Sequence, residues 1–176
     1  MSSFQRPAFS EGERPQQAPF EGNSVSNVAQ RLAELGLTLP VVPAPVAAYV
    51  PAVRTGSYVY TSGQLPMVDG KLPVTGLLGA EVSAETGYEL ARTAGLNALA
   101  AVASVVDLND VVRVVKAVGY VASAPGFTGQ PGVVNGASEL FGAVFGDAGK
   151  HARSAVGVAV LPLDAPVEVE LIVEVR

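Results

Sequence analysis

The sequence predicts an α+β sandwich in which a mixed, mostly antiparallel sheet is covered on one face by two helices. In the closing part of the chain, apolar residues alternate with other residues, which is the period of half-buried strands. Two central segments instead carry apolar residues at helical spacing. The predicted elements follow one another as a hairpin, a helix, a strand, a helix and a closing hairpin, an order that fits this fold class.

Residues 1–23 are rich in Pro, Gly, Ser and Gln, a composition that cannot bury enough apolar surface to offset its ordering entropy. We therefore expect a flexible N-terminal arm. Phe4, Phe9 and Phe20 leave open the alternative that this arm docks on a partner. Residues 24–176 are expected to form a single domain, because the chain is long enough for one core of ordinary size.

Short elements open this domain. Val28, Leu32 and Leu35 recur at the spacing of an amphipathic helix, which predicts a helix over residues 25–35. The proline-dense residues 39–46 should run extended over the surface.

A hairpin is predicted next. Residues 49–55 and 57–62 have strand composition and flank Gly56, which suits a tight turn. The dipeptide Asp69-Gly70 predicts a second turn.

A long helix and a buried strand follow. Ser83 is a good N-cap, and Glu85 lies where the helix dipole favours an anion. The apolar face behind them predicts a helix over residues 84–106. Residues 111–122 have the branched composition of a buried strand.

The second covering helix contains several glycines. Pro131 suits its first turn, whereas Gly132, Gly136 and Gly142 each cost up to ~1 kcal/mol relative to alanine inside a helix. Glycines retained at such positions indicate close approach by another backbone.

The closing segment predicts two strands joined at residues 163–165, where prolines on both sides prevent either strand from continuing. We interpret the segment as one hairpin with Val160 opposite Glu168. That pairing would leave Arg153 ~23 Å from Glu168 along the strands.

Composition limits the classes of function. Charged residues make up 15% of the chain and hydrophobic residues 49%, so fewer charges than usual are available to cover a monomer. This predicts an oligomer interface. A net charge of −5 argues against nucleic-acid binding.

Cysteine is absent and histidine occurs once, which argues against thiol chemistry and against a transition-metal site. The one histidine, His151, is interpreted as incidental, with a role as a base as the alternative, and no cofactor is expected. No apolar run approaches the ~20 residues of a membrane span, and the N-terminus lacks an apolar signal region. We expect a soluble cytoplasmic protein with no membrane partner.

Several residues and short strings recur along the chain in an order found in one known family. They are Tyr49, Thr61 to Pro66, Asn135, Ala152-Arg153-Ser154, Leu161-Pro162 and Val167-Glu168-Val169-Glu170. Together they resemble the reactive-intermediate deaminases (RidA, also called YjgF), over roughly residues 25–176. The resemblance implies a chorismate-mutase-like fold assembled as a homotrimer.

The resemblance also implies roles for individual residues. Arg153 matches the arginine that holds the substrate carboxylate, and Glu168 matches the glutamate that orients or activates water. Taken alone, the arginine fits a surface salt bridge equally well, and Glu168 and Glu170 fit a solvated strand face. The implied pocket positions are Tyr49, Ser62, Gly63, Asn135 and Ala155, the last of which replaces a cysteine found in many members.

Two functions compete. The resemblance implies an enzyme that hydrolyses 2-imino or enamine acids, such as 2-aminoacrylate, to a 2-keto acid and ammonium. Because one hairpin cannot bring Arg153 and Glu168 together, this hypothesis requires two subunits to build the site. The alternative is a non-catalytic protein that binds a small carboxylate, which needs Arg153 but not Glu168. Ribonuclease activity, attached to some relatives, fits an acidic chain poorly.

Overall fold

The structure, a computed structural model, describes residues 28–42 and 48–176. The predicted flexible arm over residues 1–23 lies outside these ranges, as do residues 25–27 of the first predicted helix and part of the predicted extended segment. Within the described residues, no helix is both long enough and apolar enough to cross a membrane.

The elements confirm the predicted α+β class. The long helix ends earlier than predicted, whereas the central strand has the predicted bounds. In chain order the helices and strands are α1 (Val28–Glu34), β1 (Ala52–Thr55), β2 (Tyr58–Thr61), α2 (Ala84–Ala103), β3 (Val111–Ala122), α3 (Gln130–Phe145), β4 (Ala152–Val158) and β5 (Val167–Val175).

The helix cap and the two turns that the sequence predicts before α2 are present in the structure. Ser83 caps α2, because its hydroxyl accepts a hydrogen bond of 3.1 Å from the Thr86 amide. The β1–β2 hairpin turns at Gly56, whose φ of +56° favours glycine. Asp69 and Gly70 also have positive φ and form the second predicted turn.

One sheet contains all five strands, in the order β1-β2-β5-β3-β4. Only β3 and β4 are parallel, so the sheet is mixed and mostly antiparallel, as predicted. Helices α2 and α3 pack together on one face. The core between the helices and the sheet contains the fully buried Leu99, Leu140, Phe141 and Leu171.

The predicted closing hairpin is wrong, because β3 lies between β4 and β5. Strand β3 pairs in parallel with β4 along one edge and antiparallel with β5 along the other. Val160 therefore does not face Glu168, which lies beside Tyr120 of β3. Alternating apolar residues identify a strand, but they do not identify its neighbour in the sheet.

The connection between β4 and β5 carries the chain across the end of β3. The amide of Ser123 donates to Val158 O at 2.9 Å, and the amide of Ala122 donates to Pro166 O at 2.9 Å. The residues between them form a short 3₁₀ turn at Pro162–Asp164. The proline-flanked turn therefore joins two strands that lie on either side of β3, and it does not close a tight hairpin.

The prediction of close backbone approach is confirmed at one of the three glycines. A Cβ on Gly136 would overlap the carbonyl oxygen of Tyr88 in α2. Gly132 and Gly142 have open space where a Cβ would lie. Close packing of α2 on α3 therefore depends on the middle glycine.

The sheet face opposite the helices carries apolar side chains that the described residues leave exposed. Val53 and Tyr60 are cross-strand partners on this face. Their side chains are 52% and 44% exposed, and Tyr58 and Val156 are exposed to a similar extent. We call these four residues the uncovered face.

Candidate functional site

Arg153 lies near the start of β4 on the helix-covered face of the sheet, beside the buried Ala117 of β3. Its Nη1 atom donates to Asn135 Oδ1 at 2.7 Å and to Ser138 Oγ at 3.1 Å. Asn135 and Ser138 are three residues apart on α3 and so face the same way. Both hydrogens of Nη1 are thereby directed at α3.

The remaining donors of Arg153 are its Nε and Nη2 groups, which together form one edge of the guanidinium. Among residues 28–42 and 48–176, no carboxylate lies within ion-pair distance of this arginine. An edge of two parallel N–H donors matches the geometry of a carboxylate. The local arrangement therefore suits a carboxylate ligand better than the surface salt bridge that the sequence left open.

Glu168 lies on the opposite face of the sheet. Its neighbours Val167 and Val169 are fully buried in the core, so the alternation of a strand directs Glu168 away from the helices. Burial, with a smaller contribution from the charge of Glu170, raises the pKa of Glu168 above its usual value. A raised pKa makes a carboxylate a better proton acceptor near neutral pH.

Gly63 makes room for Glu168. A Cβ at position 63 would overlap Oε1 of the glutamate, so the carboxylate lies directly against the backbone that follows β2. That backbone is joined to β5 by reciprocal hydrogen bonds between Gln64 and Val169, at 2.9 and 3.0 Å. The predicted pocket residues Gly63 and Glu168 are thus in contact.

Glu170 differs from Glu168 in its hydrogen bonds. The Tyr120 hydroxyl donates to Glu170 Oε2 at 3.2 Å. Burial first, and then the charge of Glu170, raise the pKa of Tyr120, so this phenol remains a donor. In the described part of the chain, no donor bonds the Glu168 carboxylate. Glu168 is therefore the glutamate left available for a ligand or water, a distinction that the sequence could not make.

The sheet separates Arg153 from Glu168 within one chain. Their β3 partners, Ala117 and Tyr120, are three residues apart, and two strand spacings lie between β4 and β5. These distances place the two Cα atoms roughly 14 Å apart, less than the hairpin prediction gave. The side chains nevertheless point to opposite faces, so one chain cannot present both to one small molecule.

The other predicted pocket residues are distributed over both faces. The Ser62 hydroxyl donates to Val50 O at 2.7 Å and so fixes the backbone next to Tyr49, whose side chain is 61% exposed. Asn135 uses its carbonyl oxygen to hold Arg153. Ala155 pairs with Gly119 and packs against the core, two residues beyond Arg153 on the same face.

The structure also has a cavity of about 370 Å³, which neither Arg153 nor Glu168 lines. Its walls include Pro40, Leu65, Met67 and Asn97, and Asn97 holds the loop by donating to the carbonyls of Leu65 and Met67. Within the described residues, no group of three acidic or histidine side chains could hold a metal ion.

Sequence patterns missed Ser138, Tyr120 and His151. Ser138 contacts both Arg153 and His151, and its place three residues after Asn135 is the only sequence signal for its role. Tyr120 looked like one more large residue in a buried strand. Its contact with Glu170 depends on the pairing of β3 with β5.

The comparisons with known proteins agree with this fold. Residues 29–175 match the profile of the family described as "YjgF/chorismate_mutase-like, putative endoribonuclease". A solved protein of unknown function from Agrobacterium tumefaciens is 46% identical, with a TM-score of 0.80, over 85% of this chain and 92% of that one.

Two curated relatives match most of the chain. Protein TCP17 of Trypanosoma cruzi is 45% identical over 85% of this chain and 94% of its own length. A 2-iminobutanoate/2-iminopropanoate deaminase of Dermatophagoides farinae is 35% identical over 80% of this chain and 95% of its own length. The chain therefore belongs to the YjgF/chorismate-mutase-like family, the RidA family that its strings resemble.

Proposed function

We propose that this protein hydrolyses small 2-imino or enamine acids to 2-keto acids and ammonium. The observation that carries the proposal is Arg153, a guanidinium fixed by α3 with one edge left for a carboxylate and no acidic partner among the described residues. The deaminase activity of the relative from D. farinae supports the same reaction class.

In this mechanism Arg153 binds the substrate carboxylate and Glu168 takes a proton from water as the water oxygen attacks the imine carbon. The proton held by Glu168 passes to the nitrogen of the resulting carbinolamine. As the C–N bond breaks, the carbinolamine hydroxyl becomes the keto oxygen and gives its proton to Glu168, which passes it to the nitrogen, and with one more proton from solvent the nitrogen leaves as ammonium. A positioned acid/base group supplies ~10²–10⁴-fold in rate. This is a modest demand because imines also hydrolyse in water.

The proposed enzyme is a homotrimer, as the family resemblance implies. In this proposal the apolar residues of the uncovered face are buried against neighbouring copies of the chain, since exposed apolar patches are found at contacts between proteins. Contact between copies would also bring Glu168 of one subunit towards Arg153 of another. Tyr49, in the segment before β1, and Ser62, in the segment after β2, would line the same cleft.

A test compares Arg153→Ala, Arg153→Lys and the wild type while a dehydratase generates 2-aminoacrylate or 2-iminobutyrate in situ. A charged hydrogen bond contributes roughly 1.5–3 kcal/mol, so the alanine variant should bind pyruvate about ten- to a hundredfold more weakly. The lysine variant keeps the positive charge but lacks the forked pair of donors. Its affinity for pyruvate should therefore lie between those of the wild type and the alanine variant.

Arg31→Ala is the matched control, because Arg31 is a surface arginine of α1 that forms an ion pair with Glu34. It should release keto acid as fast as the wild type. Keto acid release by Arg153→Ala at the wild-type rate would exclude this mechanism.

The alternative function is binding of a small carboxylate without catalysis, and the same arginine geometry favours it. Glu168→Gln separates the two functions, because the amide keeps the shape of the side chain but cannot accept a proton. The enzyme hypothesis predicts that this variant retains pyruvate binding and loses about 10²-fold or more in turnover. If turnover is unchanged, the binding protein is the better account.

Endoribonuclease activity, which the family description includes, has less support from this chain. The sequence carries 11 Lys and Arg residues against 16 Asp and Glu residues. That balance disfavours attraction of a phosphate backbone.

A further inference from the structure

His151 lies just before β4 and is half-buried between the 3₁₀ turn Gly146–Gly149 and α3. Its ring meets Phe141 edge-on, with centroids 5.6 Å apart. Nδ1 lies 2.6 Å from Gly149 O, and Nε2 lies 3.0 Å from Ser138 Oγ. Both ring nitrogens are therefore engaged.

These contacts assign the tautomer of the neutral ring. A carbonyl oxygen can only accept, so the hydrogen must be on Nδ1, directed at Gly149. Nε2 then has a lone pair and accepts the hydroxyl hydrogen of Ser138. With its hydrogen bonded to His151, Ser138 presents oxygen lone pairs to the Nη1 atom of Arg153.

We infer that His151, acting through Ser138, is a positioning residue for Arg153. The relay runs from Gly149 O through the imidazole and the hydroxyl to the guanidinium, and Asn135 accepts the other Nη1 hydrogen. Two oriented acceptors fix the plane of the guanidinium and so direct its Nε and Nη2 edge. The inference rests on the proposed role of Arg153 in carboxylate binding.

Removing the relay should affect ligand binding more than the chemical step. Without an acceptor at position 151, the Ser138 hydroxyl can rotate its hydrogen towards Arg153 or Asn135 and no longer holds Nη1. Arg153 retains its charge but samples more orientations, and that loss of preorganisation appears in affinity. Glu168 lies on the other face of the sheet and is not touched, so kcat should be preserved.

The test measures pyruvate binding by calorimetry and steady-state kinetics with dehydratase-generated imine, using the full chain. His151→Phe keeps the ring packed on Phe141 and removes both hydrogen bonds. We expect its pyruvate Kd and its KM to rise roughly three- to tenfold with kcat unchanged. His151→Gln, whose amide oxygen can accept from Ser138, should recover part of this loss.

A double-mutant cycle separates the relay from simple packing. Ser138→Ala should weaken binding by a similar factor, and adding His151→Phe to it should cause no further loss. Additive losses would mean that His151 acts by another route and would overturn the inference.

A spectroscopic measurement tests the relay without any ligand. The chain has one histidine, so its imidazole nitrogens give a single set of long-range ¹H–¹⁵N signals. In mildly alkaline buffer these should show hydrogen on Nδ1, with the Nε2 shift changed in Ser138→Ala. Hydrogen on Nε2 would overturn the assignment, even if His151→Phe failed to fold.

The outcomes also distinguish this inference from the proposed function. Weak pyruvate binding by Arg153→Ala with wild-type binding by His151→Phe refutes the relay and leaves the proposed function intact. Wild-type binding by both variants refutes carboxylate binding by Arg153 and, with it, any need for the relay.

Discussion

Glu168 and Glu170 occupy the same face of β5 two residues apart, yet their surroundings differ. Tyr120 stabilises the charge of Glu170 by donating a hydrogen bond. Glu168 lies against Gly63 instead, half-buried, and the neighbouring Glu170 charge adds to the desolvation that raises its pKa. A partly buried carboxylate without a donor reduces stability in the folded chain, as is common at sites that need a reactive group.

This environment predicts how Glu168→Gln changes stability with pH. The pKa of Glu168 is higher in the folded chain than the ~4.3 of an unfolded glutamate. The wild type therefore loses stability as the pH rises from the unfolded pKa through the folded pKa. Glutamine cannot ionise and avoids the loss. In thermal melts without ligand, Glu168→Gln should therefore exceed the wild type in Tm at pH 7, with the gap closing near pH 4.

Glu85→Gln is a control of opposite sign. Its own backbone amide at the start of α2, and then Ser83, hold the pKa of Glu85 below its usual value. The ionised Glu85 therefore adds to the stability of the folded chain above its unfolded pKa. This stability is lost as the pH falls through the folded pKa. Glu85→Gln should thus lower Tm at pH 7. A lower Tm for Glu168→Gln at pH 7 would contradict the assigned environment.

The packing of α3 on α2 sets the positions of Asn135 and Ser138, the two residues of α3 that hold Arg153. Gly136 lies next to Asn135 and allows α3 to approach the Tyr88 carbonyl of α2. The contact fixes the rotation of α3 about its axis. That rotation in turn directs Asn135 and Ser138 at β4.

Two alanine substitutions in α3 should therefore have opposite effects on unfolding free energy. Gly136→Ala forces a Cβ against backbone of α2 and should cost ~1–3 kcal/mol. Gly142→Ala meets open space in the same helix and should stabilise by ~0.5–1 kcal/mol. Denaturant titration measures both values. Equal effects at the two positions would show that the helices do not meet as described.

At the scale of the whole molecule, the two proposed catalytic groups lie on opposite faces of one sheet. The exposed Val53, Tyr58, Tyr60 and Val156 share their face with Glu168. Burial of this face by another copy of the chain would both cover apolar surface and complete the site. Assembly and activity are therefore expected to be inseparable.

Subunit complementation tests this arrangement. Arg153→Ala and Glu168→Gln should each be inactive, whereas co-expression yields mixed assemblies in which one subunit supplies the arginine and its neighbour the glutamate. In a closed ring of three that contains both variants, one interface of the three joins an intact Arg153 to an intact Glu168, so these mixed assemblies should show about a third of the wild-type activity. The measurement is keto acid release by assemblies purified through two different affinity tags.

Unmixed variants combined only at the assay step, without subunit exchange, provide the control. No recovery in verified mixed assemblies would show that each site draws both residues from one chain. That result would contradict the interface site, whatever the oligomeric state.

The sequence by itself determined the elements and much of the residue inventory. Alternation marked β5, branched composition gave β3 its bounds, and the N-cap at Ser83 placed the start of α2, because these signals are local to each segment. The strings around Arg153 and Glu168 also indicated the family, which the comparisons confirmed. The roles of these residues remain predictions.

Only the tertiary structure decided which strands are neighbours and which way the side chains face. The prediction of a closing hairpin was wrong, because β3 lies between β4 and β5. The alternation of apolar residues does not indicate which strands pair with one another. The difference between Glu168 and Glu170, and the contact of His151 with Ser138, arise from residues far apart in sequence. Such contacts depend on packing between elements, which no local pattern encodes.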